Sequence, residues 1–370
     1  MIAVETIQFN HSPGASTDAM NIRRDAAQPV TLPEWRRFAC VMPEDSPAAY
    51  SIVDTSGNTI TIQVSLSCND PAVQTARVRV PQHVKEETVH FVAGKAGPLA
   101  FELIHPPVSH GRVGIWDLVW EWEYRVPGLA HHWHRMNTTR HRIYAVLRVP
   151  TAPWMQLPFT AANTQLPWTD ALNYACSWAW GALSEDEAAR FVTENVYALG
   201  PAVVQYDCPG GGASHYSASG FDLTAFIDRM RGGFGNGFYV NCSDCATIVS
   251  TFANLVGCDL WQSRMGFSFQ LNPLLAIGSS VWQTACGWGG FFYHEVAWEN
   301  ACTAADDVWD GCLEVNGSPN PTGPPFVPML PSDLEFGNPG QLLYRGRLAS
   351  PAGQPNCQPQ PATRQRRAVS

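Results

Sequence analysis

Charge is scarce in this sequence. Only 15% of its 370 residues are charged, and 32 acidic residues against 23 basic ones leave a formal net charge of −9. Nucleic acids and anionic membranes call for a basic face, so neither is an expected partner. No apolar run approaches the roughly 18 residues that a membrane-crossing helix requires. The opening MIAVETIQFNHSPG lacks a basic n-region, an apolar core and a small-residue cleavage site, so no secretory signal is expected there. A cytoplasmic location is the expectation, with export by a route that needs no cleaved signal left open. The 11 cysteines are odd in number and scattered through a long chain, unlike a small disulfide scaffold. Most read as buried thiols. No repeat of fixed period occurs. Hydrophobic residues make up 45% and tryptophans number 14, enough for substantial packed cores. One core rarely serves more than about 250 residues, so two domains are expected.

The periodicity changes midway along the chain. Ile60–Cys68 (ITIQVSLSC) alternates apolar and polar positions, the signature of a half-buried strand. Strand-like segments recur at 76–80, 89–94, 99–104, 115–126 and 141–149, separated by Pro, Gly, Asn and Asp. This predicts an immunoglobulin-like β-sandwich over residues 47–150, preceded by an extended arm over 1–46. Pro150 and Pro153 end the last strand. Beyond them the pattern turns helical. Leu172, Ala175, Cys176 and Ala179 share one face, Ser184 with Glu187 forms a capping box, and Asp222 can cap the next helix. A further amphipathic run spans 242–256, with Ala246, Val249, Phe252, Ala253 and Val256 at helical spacing. Strand-like segments follow at GFSFQLNPLLAIG, GGFFYHEVAWE and WDGCLEVNG, which gives an α+β second domain over 151–317. Residues 318–370 read as a proline-rich extended segment, a short strand or helix at QLLYRGRLAS, and a disordered tail.

Cys242 stands at the predicted start of the amphipathic helix, where the helix dipole and unpaired N–H groups favour a thiolate. A working thiolate also needs an imidazole to exchange the proton and a carboxylate or amide to orient that imidazole. His294, in an alternating segment, and Asp310, in the next one, would reach one edge of an antiparallel sheet. The stretch VNCSDCATIVSTFANLVGC resembles the active-site helix of the transglutaminase-like superfamily, which has Cys-x-Asp/Glu-x-Ala followed by an apolar helix and a glycine. Cys242, Asp244, Ala246 and Gly257 fill those places. The resemblance continues in HEVAWE, with His294, Trp298 and Glu299, and in Asp310, sixteen residues past His294. It implies a papain-like fold in which Cys242 is the nucleophile, His294 the base and Asp310 the orienting acid, with no metal and no cofactor. The implied substrates are peptide or protein amides, and the implied reactions are hydrolysis, deamidation or crosslinking. The resemblance covers about residues 165–317, and the layout with a leading β-domain also resembles bacterial proteins of that build.

The sequence departs from the superfamily pattern in two places. Trp309 directly precedes Asp310 and no proline follows it, so Asp306 and Asp307 are rivals for the third role. The spacing from Cys242 to His294 implies an insertion around LNPLLAIGSSVWQTACGWGG, which would shape the cleft. Other constellations compete with this one. Cys245 shares the first helical turn with Cys242, and the two form a C-x-x-C with no second motif nearby to complete a zinc site. His131, His132 and His134 lie in a loop between strands. Trp116, Trp120 and Trp122 share a strand face as packing residues. Ser214 and His215 lack the G-x-S-x-G setting of a serine hydrolase, and no glycine loop ends in G-K-[ST]. Asn236, Tyr239 and Asn241 are candidates for an oxyanion donor. The sandwich would present substrate or dock a protein partner. The alternative function is a catalytically inactive binding or structural module, within a larger assembly or as a delivered effector.

Overall fold

The computed structural model describes residues 1–12, 18–28, 30–31, 34–39, 42–128, 132–318, 321 and 335–370. The chain is α+β and divides into two compact units, 1–150 with 155–183 and 151–154 with 184–370. The residues from 155 to 183, assigned by sequence to the second domain, thus belong with the first unit.

The core of the first unit is built from two sheets, beside a two-residue ladder pairing Ile22–Arg23 with Val30–Thr31. One has the order β2 (Glu34–Arg36), β1 (Ile2–Gln8), β4 (Thr61–Cys68), β7 (Lys95–Glu102). The other has the order β3 (Ala48–Ser51), β9 (His134–Val146), β8 (Gly114–Arg125), β5 (Thr75–Val80), β6 (Val84–His90). All neighbours are antiparallel except β3 and β9. Ile62, Val64, Leu66 and Cys68 of β4 point inward, while Thr61, Gln63, Ser65 and Ser67 point outward. Both sheets turn such faces into one core around Phe9, Phe101, Trp120 and Trp122. The expected N-terminal arm is corrected here, because residues 2–8 form a central strand paired with both β2 and β4. A bulge between Val4 and Thr6 interrupts the alternation that would have revealed it. Helix α1 (Thr169–Trp178) buries Leu172, Ala175 and Cys176.

In the second unit, α2 (Glu185–Tyr197) and α3 (Leu223–Met230) start at the expected caps. Ser184 accepts from Glu187 N–H, and Asp222 accepts from Ala225 N–H. Short strands β10 (Gln205–Tyr206) and β11 (Tyr239–Val240) pair in parallel and lead into α4 (Cys242–Leu255). Gly257, at φ +103°, then turns the chain out of the helix into the left-handed region that favours glycine. The remaining strands are β12 (Trp261–Met265), β13 (Phe269–Gln270), β14 (Leu274–Ala276), β15 (Gly290–Phe291), β16 (His294–Trp298), β17 (Val308–Trp309) and β18 (Leu313–Val315). QLLYRGRLAS supplies the short helix α5 (Tyr344–Leu348).

The tail, expected to be disordered, is instead β19 (Pro359–Gln365), an edge strand completing an antiparallel sheet of order β17-β16-β12-β19. Its side chains explain why no apolar pattern marked it. Arg364 and Arg366 hold it by lying 3.6 and 3.7 Å over the Trp261 ring. The proline-rich segment lies outside the described residues except for Ser318 and Pro321. Among the described residues, eight cysteines are free and buried, whereas Cys208 and Cys286 are joined in a disulfide. No helix among them is long and apolar enough to cross a membrane.

Candidate functional site

Helix α4 is expected to be amphipathic, yet every residue from Cys242 to Leu255 is buried. Most of its polar face survives burial by finding partners, the Thr251 hydroxyl being an exception. Asn254 Nδ2 donates to the carbonyls of Ala152 and Leu260, at 2.8 and 2.9 Å, and Ser250 Oγ donates to Ala246 O at 2.7 Å. The N-terminus is fixed most firmly. Asn241 and Asp244 form a reciprocal capping box, the Asn241 side chain accepting from Asp244 N–H and Asp244 accepting from Asn241 N–H. Asp244 is 0% exposed and also accepts from Ser214 Oγ, from the backbone N–H groups of His215, Tyr216 and Ser217, and from Ser217 Oγ, at 2.7 to 2.9 Å. One carboxylate therefore anchors the glycine-rich loop against the turn that carries Cys242.

Cys242 is the first residue of that helix and is 6% exposed. His294 opens β16, which packs along α4, and is 0% exposed. Its Nε2 lies 2.9 Å from Asp310 Oδ2. Its Nδ1 is buried without a well-formed hydrogen bond, and the Cys242 side chain is the neighbour that acts on the ring from outside the Asp310 pair. Burial opposes a charge on this imidazole. The charge and hydrogen bond of Asp310, followed by the Cys242 side chain, outweigh that penalty and raise its pKa to about 10. Asp310 is itself fully engaged. Its Oδ1 accepts from the N–H groups of Cys312 and Leu313 at 2.8 and 3.1 Å, and its Oδ2 accepts from Tyr344 Oη at 2.6 Å. The Phe291 ring stacks on the imidazole at 5.5 Å and closes its other flank.

The rivals lie elsewhere in the fold. Asp306 accepts from Thr303 N–H and Oγ1 within its own turn, and Asp307 bridges to Glu335. Cys245 exchanges a hydrogen bond with Cys312; that bond favours its thiolate, but burial and nearby negative charges raise its pKa overall. Ser214 is committed to Asp244 rather than to a histidine. Of the oxyanion candidates, Asn241 Nδ2 donates to Gly212 O, Asn236 Nδ2 donates to His215 O and Asp222, and Tyr239 packs on His215. Among the described residues no three His, Cys, Asp or Glu side chains converge as metal ligands. His132 packs on His134 at 4.6 Å, while His131 lies outside the described residues.

Two residues escaped the sequence reading. Tyr206 is 4% exposed, and its ionisation is suppressed first by burial and then by the charge of a Cys242 thiolate. Tyr344 reaches Asp310 from α5, 34 positions along the chain. Neither carries a local signal, since each is a lone tyrosine whose partner is set by the fold. A further pair, His215 Nε2 and Asp207 Oδ2 at 3.0 Å, lies in the glycine loop. Burial opposes the Asp207 charge, but His215 and the N–H groups of Gly210 and Ala213 hold its pKa below the usual carboxylate range.

Among solved structures the chain is similar to red sea bream transglutaminase, at 12% identity and a TM-score of 0.35, over 69% of this chain and 48% of that one. It thus spans about half the length of that enzyme. A likeness this distant carries no argument, and the site rests on its own geometry. No family model matches the chain, and no curated protein matches it in sequence.

Proposed function

We propose that the second unit is a cysteine acyl-transfer enzyme of transglutaminase-like, papain-like build acting on peptide or glutamine amides, with Cys242 as nucleophile, His294 as proton carrier and Asp310 as the group that orients it. The observation that carries this reading is the buried imidazole of His294, bonded through Nε2 to Asp310 at 2.9 Å, with its other nitrogen left to a cysteine on the first turn of a helix. Cys242 gives its proton to His294 Nδ1. The thiolate adds to the amide carbonyl, forming a C–S bond, and the developing oxyanion meets the Cys242 backbone N–H and the Tyr206 hydroxyl. Collapse breaks the C–N bond, and His294 protonates the departing amine or ammonia. Water or a second amine, deprotonated by His294, then attacks the thioester and restores the thiol. No metal or cofactor takes part in this sequence.

The two-sheet core of the first unit, with its first-sheet neighbours antiparallel and β3 parallel beside the last strand, supports reading that unit as immunoglobulin-like. Its role here is to present substrate or a protein partner. A second reading, an inactive binding module, is favoured by the enclosure of the site, with Cys242 only 6% and His294 0% exposed.

Alkylation of each cysteine by a small haloacetamide, followed by peptide mass spectrometry from pH 5 to 9, separates the two. A thiol that ionises near 8.5 is almost inert at pH 6. Under the enzymatic reading Cys242 alkylates rapidly at pH 6, and His294→Ala slows it about 100-fold. Reaction at Cys242 no faster than at the other thiols sinks the enzyme and leaves the binding module.

A further inference from the structure

Beside the proposed pair lies a second buried charge system that the chemistry above does not use. Glu295 follows His294 in β16 and is 0% exposed. Its Oε2 accepts from Ser243 Oγ at 2.6 Å, and Ser243 follows Cys242 in α4. One hydrogen bond thus joins the positions next to the proposed nucleophile and the proposed base. A carboxylate without solvent needs a counter-charge, and Arg367, just beyond β19, supplies it. Its Nη1 donates to Glu295 Oε1 at 2.7 Å and its Nη2 to Oε2 at 3.2 Å. The same Nη1 reaches Thr247 Oγ1 of α4 at 3.0 Å and Gln262 Oε1 of β12 at 3.2 Å. Arg264 stands 3.8 Å from Glu295, but its side chain is 40% exposed against 8% for Arg367, and its guanidinium lies over the Tyr293 ring. Arg367 is therefore the unscreened partner.

We propose that Arg367 is a positioning residue for the thiolate of Cys242, neutralising Glu295 and bracing the first turn of α4 against the start of β16. The inference rests on the reading of Cys242 as a nucleophile. Burial opposes the ionisation of Glu295, yet Arg367 first, then Ser243 and Arg264, hold its pKa below the usual carboxylate range. The carboxylate is therefore an anion at any pH at which the thiol works. Left without Arg367, that anion would oppose a second negative charge across the short Ser243 link, in surroundings that screen poorly. The groups facing Glu295 are Ser243 from α4, Arg264 from β12 and Arg367 from the tail, with Thr247 and Gln262 holding the Arg367 guanidinium. Those that interact with the thiol are His294, Tyr206, Cys245 and Cys312.

The test is the alkylation midpoint of Cys242, the pH of half-maximal rate, in the full chain with Arg367→Met, with Glu295→Gln and with both changes. Arg367→Met is expected to move the midpoint up by about 1 pH unit, a roughly tenfold slower reaction below it. Glu295→Gln leaves the guanidinium unopposed and moves it down. The double variant, with neither charge, returns close to the unmodified protein. No shift in Arg367→Met, or shifts of the same sign in the two single variants, overturns the proposal, because loss of packing alone would move both alike. Should Arg367→Met fail to fold, Glu295→Gln decides the matter, and an unchanged or raised midpoint overturns it. The midpoint of the unmodified protein judges the nucleophile reading, whereas the signs of the shifts judge this one.

Discussion

Each unit buries a histidine, and the two end in opposite charge states. In the first unit His141 is 4% exposed and packs at a tilt against Trp120 at 4.3 Å and edge-on against Phe9 at 5.1 Å. Its Nε2 lies 2.7 Å from Thr139 Oγ1, which accepts from Trp122 Nε1 at 3.0 Å. The threonine hydroxyl is uncharged and offers the ring no counter-charge. Burial lowers its pKa to about 3. In the second unit His294 is more deeply buried, yet its pKa rises to about 10 because a carboxylate lies 2.9 Å away. Burial sets the size of the electrostatic stakes in both cases. The partner decides the sign, a hydroxyl for His141 and a carboxylate for His294.

The largest test of this contrast turns the second case into the first. Asp310→Asn keeps the shape and removes the charge. Burial then dominates, and the ring pKa of His294 is expected to fall from about 10 to below the ordinary 6.5, read from the imidazole proton resonances in an NMR titration. Under the proposed mechanism amide turnover falls by about 10²- to 10⁴-fold, the typical worth of a positioned acid–base group. A ring that still titrates near 10 in this variant would mean that Cys242, rather than Asp310, holds the proton there, and the contrast would need a different cause.

A middle-sized effect comes from His141 by proton linkage. Its folded pKa lies below the unfolded 6.5, so between those values the unfolded chain binds a proton that the folded unit refuses. The stabilisation is fully present above pH 6.5 and is lost as pH falls toward 3. At pH 5 the loss is about 2 kcal/mol. His294 behaves inversely, its contribution being present below 6.5 and lost as pH rises toward 10. Hydrogen exchange of the β8 and β9 amides from pH 7 to pH 5 should therefore accelerate at constant intrinsic rate, with no matching acceleration in β16. Equal acceleration in both strands would break the comparison.

What the sequence revealed divides along a physical line. Side chains that act on backbone within a turn or two left legible marks, as with Ser184 and Asp222 at their helix starts. Strands with an unbroken apolar face, such as Thr61–Cys68, were equally plain. His294 and Asp310 were reachable because two neighbouring strands fix their separation. Strand β1 was hidden by a bulge, and β19 by resting on guanidinium–indole stacking instead of apolar burial. Tyr206, Tyr344 and Arg367 were hidden for a third reason. Each meets the site from a distant segment, and nothing local to them differs from an ordinary tyrosine or arginine.

The smallest effect tests how much of the second case belongs to Asp310 alone. Tyr344 Oη donates to the same Oδ2 that receives His294 Nε2. Tyr344→Phe removes one hydrogen bond to a charged group and should cost about 1.5 kcal/mol in urea denaturation. With one donor gone, the Oδ2 charge is less shared, so the ring should be held at least as firmly and its pKa should rise slightly, with turnover changed less than tenfold. Oδ1 keeps its two backbone donors, Cys312 and Leu313, which is the reason to expect the carboxylate to stay in place. If the ring pKa instead drops toward 6.5, those two donors do not suffice to aim Asp310. The partner that sets the sign of the His294 charge is then the Asp310–Tyr344 pair, and α5 becomes part of the site.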